Sequence, residues 1–156
     1  MVSRCAFVSR GRPPRAPSGP FAPRGTLRPV RSILLVEDDA DSRRTLGDQL
    51  AMLFPEARVL MTDSGDTGLE LARHTWPSVV LLDLGLRGMG AFQFSERLRR
   101  LASGAGVPIV GLVSGAGHDA LLRAEDAGFA AFLLKPVETH PLTTIVRPFL
   151  ERPPVP

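Results

Sequence analysis

The stretch Ile33-Leu34-Leu35-Val36-Glu37-Asp38-Asp39 sets four consecutive apolar residues directly against three carboxylates. An unbroken apolar run of this length fits a strand covered on both faces, because a strand with one wet face alternates apolar and polar residues. The pattern recurs down the chain. Val79-Val80-Leu81-Leu82 runs into Asp83, and Ile109–Val113, introduced by Pro108, runs into Ser114. A short strand is expected at Ala57–Met61 after Pro55, and another at Phe129–Leu134, closed by Lys135 and Pro136.

Helical periodicity fills the intervals. Leu46, Leu50, Leu53 and Phe54 fall at i, i+4, i+7 and i+8, one stripe of a first helix. A weaker helix is expected from Gly65 to His74, with Leu69 and Ala72 on one side. Phe94, Leu98 and Leu101 mark a third, and Asp119 to Ala127 a fourth, with Gly128 suited to its C-cap. Leu142, Ile145, Val146, Phe149 and Leu150 form the clearest stripe in the chain, a fifth helix. Strictly alternating strands and helices imply an α/β fold whose parallel sheet carries helices on both faces. One such architecture is a flavodoxin-like (βα)5 three-layer sandwich with a five-stranded parallel sheet in the order 2-1-3-4-5, the order that makes strands one and three neighbours.

Composition narrows the class. The 156 residues are 44% hydrophobic and 22% charged, ordinary for one soluble domain with a tail. No apolar run approaches the roughly 18–20 residues that cross a bilayer, so a membrane protein is not expected. One cysteine, Cys5, cannot form an internal disulfide, and a reducing, cytoplasmic setting is favoured. One cysteine and three histidines also exclude a Cys-rich zinc site.

The net charge of +3 is the sum of two unlike parts. Residues 1–31 hold seven Arg, six Pro and no acid, whereas residues 32–156 carry a net charge of −4. Residues 1–31 are therefore expected to be a disordered Arg/Pro-rich tail. A nucleic-acid or acidic-partner arm, a bland tail and a misassigned start near Val30 are the open explanations of it, whereas its Pro density defeats the amphipathic helix that a transit peptide needs. The folded part is read as residues 32–151 without a nucleic-acid role, followed by a flexible tip at 152–156.

In open α/β sheets, ligands bind beyond the carboxyl ends of the strands, near the point where the strand order reverses. If strands one and three are neighbours, Glu37, Asp38 and Asp83 converge there. Clustered carboxylates repel, so one protonates or a cation compensates them. Oxygen-only ligands around an open position suit Mg²⁺, which keeps several waters and adds phosphate oxygens. A metal-bound Asp is a competent nucleophile towards a phosphoryl group, and a nearby Lys would neutralise the incoming charge. Each residue also has a plainer reading. The acids could serve a helix N-terminus, Asp83 a turn before Gly85, and Lys135 the surface. The conjunction argues otherwise. Basic positions are Arg eighteen times and Lys once, and the lone ammonium stands at the one place where a compact charge suits a cramped site.

Three segments, Ile33–Asp39, Val79–Leu86 and Ala127–Pro136, resemble the receiver domain of bacterial two-component response regulators, including those attached to hybrid histidine kinases. The resemblance covers about residues 32 to 150. It implies that Asp83 takes a phosphoryl group from a phosphohistidine. Glu37 and Asp38 would hold Mg²⁺ with Asp83 and the Gly85 backbone carbonyl. Lys135 would pair with the phosphate, the Lys135–Pro136 bond would be cis, and Phe132 would be the aromatic switch residue. The partners implied are a histidine kinase or histidine phosphotransfer protein upstream. Downstream lies a protein bound through the helix-four, strand-five, helix-five face. The domain would be a phosphoacceptor rather than an enzyme, acting at most in its own phosphorylation and dephosphorylation.

Departures from the family pattern sharpen the expectation. The switch Thr or Ser position falls on Val113, which cannot donate a hydrogen bond. Ser114 could substitute only if the strand end slips by one residue, which needs a bulge. Arg87 stands where the family usually has Pro, and is either solvent-exposed or able to reach the phosphoryl group. Gly90-Ala91 replaces a usual Asp-Gly. These departures leave a second reading open, a degenerate, phosphorylation-independent interaction module on the same fold. A haloacid-dehalogenase-type hydrolase would want an acid at Gly85. A flavin module would want a phosphate loop where Glu37 and Asp38 stand.

Overall fold

The computed structural model describes residues 30–101, 106–115 and 118–153. The expected tail lies outside them for residues 1–29, as does the tip for residues 154–156. Five strands and five helices alternate: β1 (Arg31–Val36), α1 (Ala40–Leu53), β2 (Ala57–Thr62), α2 (Gly65–Thr75), β3 (Val79–Asp83), α3 (Ala91–Arg100), β4 (Ile109–Val113), α4 (His118–Asp126), β5 (Ala131–Leu134) and α5 (Thr139–Glu151). All strand pairs are parallel, in the order β2-β1-β3-β4-β5, so the flavodoxin-like sandwich holds.

The continuous apolar strands have the physical cause expected of them. Along β1, Ile33 and Leu35 point into one core with Leu46 and Leu50 of α1 and Leu142, Val146 and Leu150 of α5. Leu34 and Val36 point into a second core with Ala72 of α2, Phe94 and Leu98 of α3 and Ala124 of α4. Both faces of β1, β3 and β4 are dry, and alternation would place polar groups in one core or the other.

Several boundaries differ from the sequence expectation. Phe54 lies beyond α1 as its C-cap, yet its ring is fully buried, so the stripe reported packing rather than helix length. The fifth strand begins at Ala131, not at Phe129. The Phe129 amide donates to the Ala124 carbonyl and Gly128 to Glu125, closing α4 with a Schellman motif in which Gly128 takes φ +75°. Those two residues therefore belong to the end of α4. Helix α4 itself is shifted one residue towards the N-terminus of its expected span, α2 runs one residue past His74, and β2 one residue past Met61.

Candidate functional site

Sheet order and register assemble the site. The chain leaves β1 for the outer strand β2 and returns on the other side as β3, so β1 and β3 lie side by side at the reversal. Val36 pairs with Leu82, which places Glu37 and Asp83 next to one another at the carboxyl ends. Asp83 is the last residue of β3 and pairs with Leu112, and Lys135 follows β5 with its amide bonded to the Val113 carbonyl at 2.8 Å.

The acids after β1 divide their work. Asp39 is the N-cap of α1, its carboxylate accepting from the Ser42 amide at 2.7 Å. That bond holds the Asp39 carboxyl below the usual range. The helix-terminus reading was thus right for one acid of the three. Glu37 and Asp38 turn to the crevice, where carboxylate oxygens from Glu37, Asp38 and Asp83 lie within 4.8 Å of one another.

Glu37 is fully buried, its Oε1 accepting from the Asp39 amide at 3.1 Å. Lys135 Nζ contacts Glu37 Oε2 and lies 3.2 Å from Asp83 Oδ1. Burial pushes the Glu37 carboxyl up, against the pull of Lys135. Burial works against the Lys135 charge, but the bonds to Glu37 and the field of Asp83 outweigh it and hold the ammonium above its ordinary value. Asp83 Oδ1 also accepts from the Gly85 amide at 3.0 Å, which fixes the loop after β3 under the carboxylate.

One residue of the site, Arg43, was not found from the sequence, and for another, Arg87, the partner was not. Arg43 donates from Nη1 to the Glu37 carbonyl at 2.8 Å and reaches the Asp38 carbonyl at 3.4 Å, pinning the acidic loop from below. A basic residue one turn into the helix after an acidic loop was the available signal. Arg87, expected either in solvent or at a phosphoryl group, is largely exposed to solvent and from there bonds Asp38 Oδ2 through Nε at 2.9 Å and its backbone amide at 3.1 Å. That guanidinium holds the Asp38 carboxyl below its usual range.

The remaining candidates sit as follows. Val113 ends β4 in regular register opposite Leu134 and is buried, so the bulge that would bring Ser114 into its place is absent; Ser114 is exposed just beyond. Phe132 lies inward against Phe129. The Lys135–Pro136 peptide is cis. A cavity of about 320 Å³ opens beside Glu37 and Lys135, walled by Ser42, Gln49 and Pro136.

The donor set fits a hard divalent cation. It is made of oxygen alone, it is only partly screened, and three carboxylates face two cationic side chains, Lys135 and Arg87. Among the described residues, no helix is long and apolar enough to cross a membrane.

The family model for the response regulator receiver domain matches residues 33–147. The chain is 31% identical over 121 residues to the transcriptional regulatory protein AfsQ1 of Streptomyces coelicolor, covering 78% of this chain and 52% of that protein. It is 28% identical over 120 residues to the sensor histidine kinase RcsC of Salmonella typhi, covering 77% of this chain and 12% of that protein. The chain thus spans about half or less of the length of these curated relatives. Among solved structures, the signal receiver domain of a DNA-binding response regulator from Colwellia psychrerythraea superposes with a TM-score of 0.72 at 25% identity, covering 78% of this chain and 99% of that one. The receiver domain of the sensor histidine kinase PA1611 from Pseudomonas aeruginosa, solved with a magnesium ion coordinated in its active-site cleft, gives 0.71 at 24%, covering 79% and 99%. With a family match across most of its length and a sheet of the same order, this chain belongs to the response regulator receiver domains of two-component signalling.

Proposed function

We propose that this domain accepts a phosphoryl group on Asp83 from the phosphohistidine of a histidine kinase or phosphotransfer protein, and does so in the cytoplasm. One observation carries the reading: Glu37, Asp38 and Asp83 share a 4.8 Å cluster, with the Lys135 ammonium 3.2 Å from Asp83. An Asp83 carboxylate oxygen attacks phosphorus, the O–P bond forms, the N–P bond breaks, and the donor imidazole leaves with the electron pair. Lys135 neutralises charge on the transferred oxygens. Glu37, Asp38, Asp83 and the Gly85 carbonyl would hold Mg²⁺, the ion found in the Pseudomonas receiver. When bound, that ion would supply charge neutralisation and alignment of the phosphoryl oxygens.

The signal leaves by protein–protein contact through the α4–β5–α5 face, where Leu122 and Leu134 are exposed. Phosphorylation selects between conformations that already exist. Val113 weakens the coupling, since a lost hydrogen bond to a charged group is worth about 1.5–3 kcal/mol. Incubation with Mg²⁺ and a small phosphodonor tests the reading by mass spectrometry. A gain of one phosphoryl group, absent in Asp83→Asn, is expected. No gain in the wild type would leave a phosphorylation-independent interaction module.

A further inference from the structure

Arg87 makes a contact that the family's usual residue at this position cannot make. Its Nε and its backbone N–H both donate to Asp38 Oδ2, at 2.9 and 3.1 Å. A proline has neither an amide hydrogen nor a cationic side chain. The contact ties the loop after β1 to the loop after β3 across 49 positions of sequence, at the rim of the carboxylate cluster. The guanidinium side chain is 84% exposed and the Asp38 side chain only 16%, so the cation reaches in from solvent to a carboxylate that is mostly covered.

We propose that Arg87 is a resident counter-ion of Asp38, for which a divalent cation must exchange when it enters the cluster. The inference rests on reading Glu37, Asp38 and Asp83 as the metal-holding acids. Lys135 serves the inner pair, Glu37 and Asp83, and Arg87 serves the outer acid alone. An incoming cation finds Asp38 Oδ2 already accepting two N–H donors, with a positive charge beside it. The guanidinium is therefore both a competitor for that oxygen and a source of repulsion. Its exposure limits the penalty. Exposed ion pairs are weak, so its withdrawal lowers metal affinity by about two- to fivefold rather than by orders of magnitude.

The test is a Mg²⁺ titration of the full chain and of Arg87→Ala by calorimetry. In parallel, the Arg87 Nε–H resonance of the wild type is followed by ¹⁵N NMR. Arg87→Ala should bind Mg²⁺ about two- to fivefold tighter, and the gap should narrow as monovalent salt screens the exposed charge. The Nε–H resonance should move in step with saturation. Equal affinities, weaker binding by the variant, or a resonance that stays in place would overturn the exchange while leaving the metal site standing. No Mg²⁺ binding by either protein would overturn both.

Discussion

Gly111 and Phe132 are register partners on β4 and β5, and the missing side chain at 111 is what gives the ring its place. A Cβ on Gly111 would lie 2.9 Å from the Phe132 ring and 3.2 Å from the Phe129 ring. The two rings stack with centroids 6.1 Å apart and planes 12° apart, and Phe129 leans on Phe92, over which the Arg123 guanidinium sits. Phe132, the residue expected at the aromatic switch position, is here one member of a packed column.

Gly111→Ala should therefore displace Phe132 and lower stability by about 1–3 kcal/mol, the usual cost of overpacking. Urea unfolding measures it. Adding Phe132→Leu should recover part of the loss, because the two changes share one contact and are not additive.

Asp83→Asn should stabilise the metal-free domain by about 1 kcal/mol while abolishing phosphorylation, since it removes one of three mutually repelling carboxylates. The amide oxygen can still accept from the Gly85 amide, so the loop keeps its anchor. A thermal melt in chelator reads the gain. A lower midpoint than wild type would show that the Lys135 attraction outweighs the repulsion.

Lys135→Met should be costly at neutral pH and nearly silent in acid. Glu37 titrates above its ordinary value in the fold because of burial, so its protonation favours the folded state. That contribution is full below the unfolded glutamate value and disappears as pH rises through the raised folded value. Without the ammonium the folded value climbs further and the loss deepens. At pH 8 the variant should fall about 1–3 kcal/mol below wild type, less than for a fully enclosed pair because Lys135 retains some access to water. The two melting curves should converge as the pH approaches 4.

Asp39→Ala removes the cap of α1 without touching the carboxylate cluster. The midpoint should fall by a few degrees, and Mg²⁺ binding should be unchanged. The Asp39 carboxyl titrates below its ordinary value because of the Ser42 amide, so its contribution is present above the unfolded aspartate value and is lost as pH falls through the folded one. Wild type and variant should accordingly converge in strong acid.

What could be read in the sequence and what could not follows from range. Strands β1, β3 and β4 announce themselves because burial on both faces leaves only apolar residue types. Asp83 and Glu37 were legible because a strand end fixes where they go once the sheet order is known. The start of β5 was misplaced because Phe129 is apolar on either reading, and only the Schellman bonds assign it to α4. The division of labour among Glu37, Asp38 and Asp39 needed coordinates, since three adjacent acids look alike until one amide, Ser42, selects among them. Arg87 and Asp38 meet through tertiary folding alone, and no local pattern encodes that contact.

The bond from the Lys135 amide to the Val113 carbonyl has a mechanical corollary. It anchors the charge-bearing residue to the tip of β4, while the preceding residue, Leu134, stands 69% exposed on the outermost strand. A tug on that amine, such as a new anion would exert, is one peptide link away from the outer rim that another protein could feel. Lys135 and Leu134 are consecutive in the chain, so a displacement of the cleft's ammonium would meet the outer rim without crossing the interior.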